Sequence, residues 1–140
     1  MGIIIDTDVF IDAEKGRFPP DWTSCATRYG ETFISAITVS ELLVGVYRAD
    51  SRERRAKRAA FIESLLAAVV VLDFTTEIAR LHAQLLADLL ARGERIGAHD
   101  LIIAATALRY GYPVLTSNVR EFKRVAGLEV LRFDIQGESL

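Results

Sequence analysis

The 140-residue chain has one cysteine, Cys25. A lone thiol excludes an intrachain disulfide and a cysteine-rich zinc site, and it fits a reducing compartment. No apolar run approaches the roughly 20 residues that a membrane span needs. No basic segment precedes the apolar N-terminal stretch, so a secretory signal is not expected and a cytoplasmic location is. An excess of either sign of charge is missing as well: 17 Lys and Arg stand against 19 Asp and Glu, a formal net charge of −2. The totals therefore do not mark a nucleic-acid binder, and any such role has to come from a local patch. Repeats, low-complexity stretches and dividing linkers are missing. Neither His82 nor His99 has a serine or cysteine placed to suggest a triad. What is present is 51% hydrophobic content, enough for the core of one domain spanning 1–140.

The apolar residues fall into alternating strand and helix patterns. "GIII" (2–5) reads as a strand, and its β-branched run suits burial on both faces. "TFISAI" (32–37), "AVVVLDF" (68–74) and "PVLTS" (113–117) read as further strands, with "LEVLRF" (128–133) as a fifth at an edge. Between them, 38–49 and 52–67 form a helical pair. The segment 75–93 carries Ile78, Leu81, Leu85 and Leu89 on one stripe and ends at Gly93. A further helix covers 98–111 and again closes on glycine. Strands alternating with crossover helices predict an α/β fold of three layers, α/β/α, around a mainly parallel sheet of four to five strands. Ligands of such sheets bind beyond the carboxyl ends of the strands. Asp6, Glu41 and Asn118 all follow strands closely and are expected to converge there.

Acids are the residues that most need explaining. Asp6, Asp8 and Asp12 follow the first strand directly, and a carboxylate beside a buried strand is costly without a partner. Asp8 suits the start of a short helix after Thr7, and Asp12 a solvated position. Asp100 shares a helix face with Ile103, Ala104 and Ala107 near the helix N-terminus. The helix dipole alone would welcome it there. Alternatively it enters the crevice and meets Asp6, where two carboxylates need a hard divalent cation such as Mg²⁺ or Mn²⁺. His99, about 100° round the helix from Asp100, is expected to face elsewhere, and His82, beside the apolar stripe, to be a packed or a surface histidine.

Two short patterns have competing readings. "TVSE" (38–41) matches a capping box, with Thr38 as cap and Glu41 reaching back, and "NVRE" (118–121) does so with Asn118 and Glu121. The run "RADSRERRAKR" (48–58) sets six cations against two acids. Arg48, Arg52, Arg54, Arg55, Lys57 and Arg58 either solvate a helix face or contact a phosphate backbone.

"IIIDTDVFID", "SAITVSELLVGV", "RIGAHDLIIAATAL" and "PVLTSNVREF" together resemble the four motifs of the PIN-domain ribonucleases, specifically the VapC toxins of toxin–antitoxin pairs. The resemblance runs from about residue 2 to 133. It implies a metal-dependent endoribonuclease in which Asp6, Glu41 and Asp100 hold one or two Mg²⁺ or Mn²⁺ ions. It further implies Thr116 and Asn118 as water-orienting residues and Asp8 or Glu121 as neighbours of the site. The family often has an aspartate where this chain has Asn118, which would weaken a second metal. A small VapB-like antitoxin, a homodimer and a higher assembly with the antitoxin are the implied partners, besides RNA. A receiver-type phospho-acceptor domain also puts aspartates at strand ends, but no strand-end lysine supports it. A relative that cuts DNA flaps would be larger. The alternative from another class is a catalytically weak or silent PIN-like module that binds RNA or protein, and Asn118 is the residue that favours it.

Overall fold

Ile3, Ile4 and Ile5 are fully buried, and the rest of the sheet is arranged around them. The computed structural model describes residues 1–14 and 28–133. Cys25 lies outside them. The strands are β1 (Gly2–Ile5), β2 (Glu31–Ser35), β3 (Val70–Leu72), β4 (Val114–Thr116) and β5 (Val130–Arg132). They form one sheet in the order β3-β2-β1-β4-β5, and every pairing is parallel. β1 is central, with Ile4 opposite Phe33 on one side and Val114 on the other.

Successive side chains of a strand point to opposite faces, and β1 sorts the core in this way. Ile3 and Ile5 pack with Ile34 and Leu115 beneath three helices: α1 (Thr7–Glu14), α2 (Ala36–Tyr47) and α3 (Arg52–Ala68). Ile4, Phe33 and Val114 face the opposite layer, made by α4 (Thr76–Ala91), α5 (Ala98–Tyr110) and α6 (Val119–Phe122). The expected α/β/α sandwich is therefore the observed one. No helix among the described residues is long and apolar enough to cross a membrane.

Local signals set the boundaries. The second strand stops at Ser35 rather than running to position 37, because Ser35 is extended and its hydroxyl accepts the Ile37 N–H. A serine there caps the helix earlier than the apolar pattern implies. Thr75 caps α4 by accepting the Ile78 N–H. Ile78 and Leu89 of the stripe are buried while Leu81 and Leu85 are half-buried. Gly111, at φ +72°, closes α5 in the left-handed conformation that glycine adopts without strain.

Because Ile4 lies at the centre of the sheet with no exposed atoms, Ile4→Ala leaves a cavity that the flanking strands cannot close. Urea unfolding should show a loss of roughly 2–5 kcal/mol. A loss below about 1 kcal/mol would contradict this account of the core.

Candidate functional site

The chain turns directly from β1 into α1 at Asp6, which is only 3% exposed. Its backbone N–H donates to Leu115 O at 2.9 Å, tying the turn to β4. The Thr116 hydroxyl donates to Asp6 Oδ2 at 2.8 Å and accepts the Asn118 N–H at 2.8 Å. Asp8, in the first turn of α1, accepts from the Ser117 hydroxyl through Oδ2 at 2.7 Å. Its other oxygen, Oδ1, is buried and has no hydrogen-bond partner. Glu41 comes from α2: its Oε1 accepts from the Thr7 hydroxyl at 2.7 Å, and its Oε2 lies 3.4 Å from His99 Nδ1. Asp100 lies half-buried in the first turn of α5.

These acids share one electrostatic environment. Burial pushes the Asp6 carboxyl up to about 9; the charge of Asp8 and a hydrogen bond with it add to the rise, and Asp100 contributes further. The Thr116 hydroxyl pulls Asp6 the other way. Asp100 is raised to about 6, first by burial and then by the charges of Glu121, Glu41 and Asp8, with His99 opposing. The carboxylates of Asp6, Asp8, Glu41, Asp100 and Glu121 are therefore linked electrostatically beyond the carboxyl ends of β1 and β4. An all-oxygen donor set with a buried, orphaned Asp8 Oδ1 fits a hard divalent cation. Among the described residues, no three acidic or histidine side chains already close on a common point. Side-chain rotation would have to complete the coordination.

Both capping-box readings are corrected. Ser35 caps α2, while Thr38 lies inside that helix and is fully buried. Glu41 consequently reaches Thr7 rather than its own helix start. Asn118 precedes α6 without a side-chain cap. Its Nδ2 donates to Glu121 Oε2 at 2.7 Å, and Glu121 Oε1 accepts the Gly97 N–H at 2.7 Å. Glu121 thus tethers α6 to the start of α5, next to Asp100. His99 is also corrected: at the first turn of α5 its Nδ1 lies 3.4 Å from Glu41 Oε2 despite its angle from Asp100. His82 packs edge-on to Phe74 with ring centroids 5.9 Å apart, and Asp12 is half-buried in α1.

The basic run is divided by helix geometry. Arg54, Lys57 and Arg58, with Ile11, Leu42 and Phe61, line a groove that also reaches Glu41. Arg54 pairs with Asp50 at 3.0 Å, and Arg58 with Glu14 at 2.9 Å. Arg58 also donates to Gly45 O at 2.8 Å. Arg48, Arg52 and Arg55 are exposed and do not line that groove. Thr7, Thr38 and Ser117 were not legible as neighbours of the site. The available signal for Thr7 was its place between two aspartates at a strand end.

Comparison with known proteins adds three findings. The PIN domain family model matches residues 3–128. Ribonuclease VapC1 of Rickettsia felis is 43% identical over 131 residues, covering 94% of this chain and 96% of that protein. Two solved assemblies share the fold. VapBC2 from Rickettsia felis, bound to promoter DNA, has a TM-score of 0.86 at 23% identity, covering 96% of this chain and 100% of that one. DNA-bound VapBC from Salmonella typhimurium has a TM-score of 0.82 at 28% identity, covering 94% and 98%.

The raised carboxyls make a pH prediction for the metal-free protein. A carboxyl whose folded pKa exceeds its unfolded value near 3.8 holds its proton more tightly when folded, so stability falls as pH rises between the two values. In EDTA, Tm should decline from about pH 5 to about pH 9, with Asp100 acting up to about 6 and Asp6 up to about 9. Asp6→Asn should flatten the upper part of that decline and raise Tm at about pH 8. A Tm that climbs across this range would contradict the burial of Asp6.

Proposed function

The chain belongs to the PIN-domain family, in its VapC branch, and from that membership we propose that it is an Mg²⁺- or Mn²⁺-dependent endoribonuclease, the toxin of a VapBC-type pair. The observation that supports this reading is the electrostatic chain of acids beyond the carboxyl ends of β1 and β4: burial, Asp8 and Asp100 raise Asp6, and burial, Glu121, Glu41 and Asp8 raise Asp100. A bound cation would polarise a phosphoryl oxygen and activate a water for in-line hydrolysis. Asp6 and Asp100 would supply the buried charge that holds it, and Glu41 the third carboxylate. Thr116 orients Asp6 by its hydrogen bond. Asn118 and Glu121 are engaged with each other and fix the loop that carries Thr116. No side-chain nucleophile is required.

The substrate is RNA, which the groove beside Glu41 would receive along Arg54 and Lys57. Its regulator is a small VapB-like antitoxin, in line with the VapBC assemblies that share this fold. The chain acts as a homodimer that joins a higher assembly with that antitoxin, in the cytoplasm.

The purified protein should cut RNA with Mg²⁺ or Mn²⁺ and stop in EDTA. Asp6→Asn and Asp100→Asn should each lower the rate by roughly 100-fold or more, the scale of losing a charge that stabilises the transition state, while remaining folded by circular dichroism. Glu41→Gln should lose most activity and recover part of it at high Mn²⁺. Wild-type cleavage by Asp6→Asn would remove the metal-site reading and favour a binding module.

Division of the basic run gives a separate test. Arg54→Gln with Lys57→Gln should weaken RNA binding and flatten its salt dependence by about one unit of slope for each phosphate that is no longer neutralised. The pair Arg52→Gln and Arg55→Gln, outside the groove, should leave the slope unchanged. Equal effects from both pairs would mean that the groove is not the RNA path.

A further inference from the structure

Thr38 heads a capping pattern yet makes no cap, and its burial needs another explanation. Thr7 and Thr38 are 5% and 0% exposed. Thr7 Oγ1 lies 3.0 Å from Thr38 Oγ1 and 2.7 Å from Glu41 Oε1. A threonine hydroxyl has a single proton, and a carboxylate offers only acceptor sites. The Thr7 proton therefore serves Glu41, and the Thr38 proton makes the 3.0 Å contact. The result is a directional relay, Thr38 to Thr7 to Glu41, in which a buried hydroxyl pair polarises the half-buried bond to Glu41.

We propose that Thr7 is a positioning residue for Glu41, with Thr38 fixing the orientation of the Thr7 hydroxyl. The proposal rests on the reading of Glu41 as a metal ligand. Thr7 immediately follows Asp6, so the relay joins the β1–α1 turn to α2 and sets the spacing of the two elements that carry Asp6 and Glu41. It occupies Oε1 and leaves Oε2 3.4 Å from Nδ1 of His99, the residue before Asp100. Without the hydroxyl, Glu41 would lose the donor that holds Oε1 and be free to turn toward Arg54 and Arg58 in the groove that it lines with them.

Titration calorimetry with Mn²⁺ on the full chain tests this without relying on activity. Thr7→Val keeps the shape and removes the hydroxyl. It should raise the Mn²⁺ Kd by roughly 10-fold, the usual scale for losing a group that orients a ligand. Thr7→Ser, which keeps the hydroxyl, should bind as the wild type does. Thr38→Val should shift Kd in the same direction by less, and it decides the matter if Thr7→Val does not fold. Glu41→Gln serves as the control for the underlying reading. A weakened Glu41→Gln beside unaltered Thr7→Val and Thr38→Val would overturn the relay alone. An unaltered Glu41→Gln would overturn the ligand role and the relay with it. Equal weakening by Thr7→Ser and Thr7→Val would assign the effect to packing and overturn the relay.

Discussion

Repulsion between buried carboxylates is the constraint on which the site depends. Asp6 follows a strand whose three isoleucines have no exposed atoms, and its ionised form faces Asp8 and Asp100 in a medium that screens charge poorly. Such an arrangement is unfavourable by itself, since burial and like charge act in the same direction. It persists because the surrounding sheet and helices leave Asp6 no alternative. The Asp6 N–H is bound to β4, the Thr116 hydroxyl holds one carboxylate oxygen, and α1 begins at the next residue. A cation placed among these acids would turn the repulsion into an attraction.

The parallel sheet explains why the acids meet. All five strands point the same way, so the segments leaving β1, β2 and β4 emerge at one edge. Asp6 and Asp8 come from the first of these, Glu41 from the helix after the second, and Ser117 and Asn118 from the third. Asp100 arrives from the opposite layer at the start of α5, packed through Leu101, Ile103 and Ala104. Hydrogen bonds then lock the loops together: Ser117 to Asp8, Asn118 to Glu121, and the Gly97 N–H to Glu121. These links fix the backbone around the acids, and Thr116 and Thr7 each hold one oxygen of Asp6 and Glu41.

Most of the architecture was legible in the chain because its signals are local. The Ile3–Ile5 run marked a strand buried on both faces, and the stripe from Ile78 to Leu89 marked an amphipathic helix. Topology predicted that Asp6, Glu41 and Asn118 share an edge, since the strand ends of a parallel sheet do, whereas Asp100, on a helix of the opposite layer, had two open readings. Sequence and structure differ where a side chain has two partners of similar merit. "TVSE" satisfies the capping pattern, but Ser35 is better placed to cap α2, and Glu41 turns to Thr7 on another helix. "NVRE" likewise lost its cap to the Gly97 N–H, a partner that only tertiary packing supplies. His99 lies nearer the site than its helical angle implies, because that angle fixes the Cβ direction and not the reach of the longer Glu41 side chain that meets it. The basic run could not be divided from sequence alone, because its groove-facing members are set by how α3 packs on α1 and α2.

The central claim is that the buried acids form a cation site. Anomalous diffraction from a crystal soaked in Mn²⁺ tests it most directly. The account predicts an anomalous peak within coordination distance of Asp6 and Asp100, with Glu41 turned toward the ion through the oxygen not held by Thr7. A well-ordered site with no anomalous density among these carboxylates at saturating Mn²⁺ would contradict it.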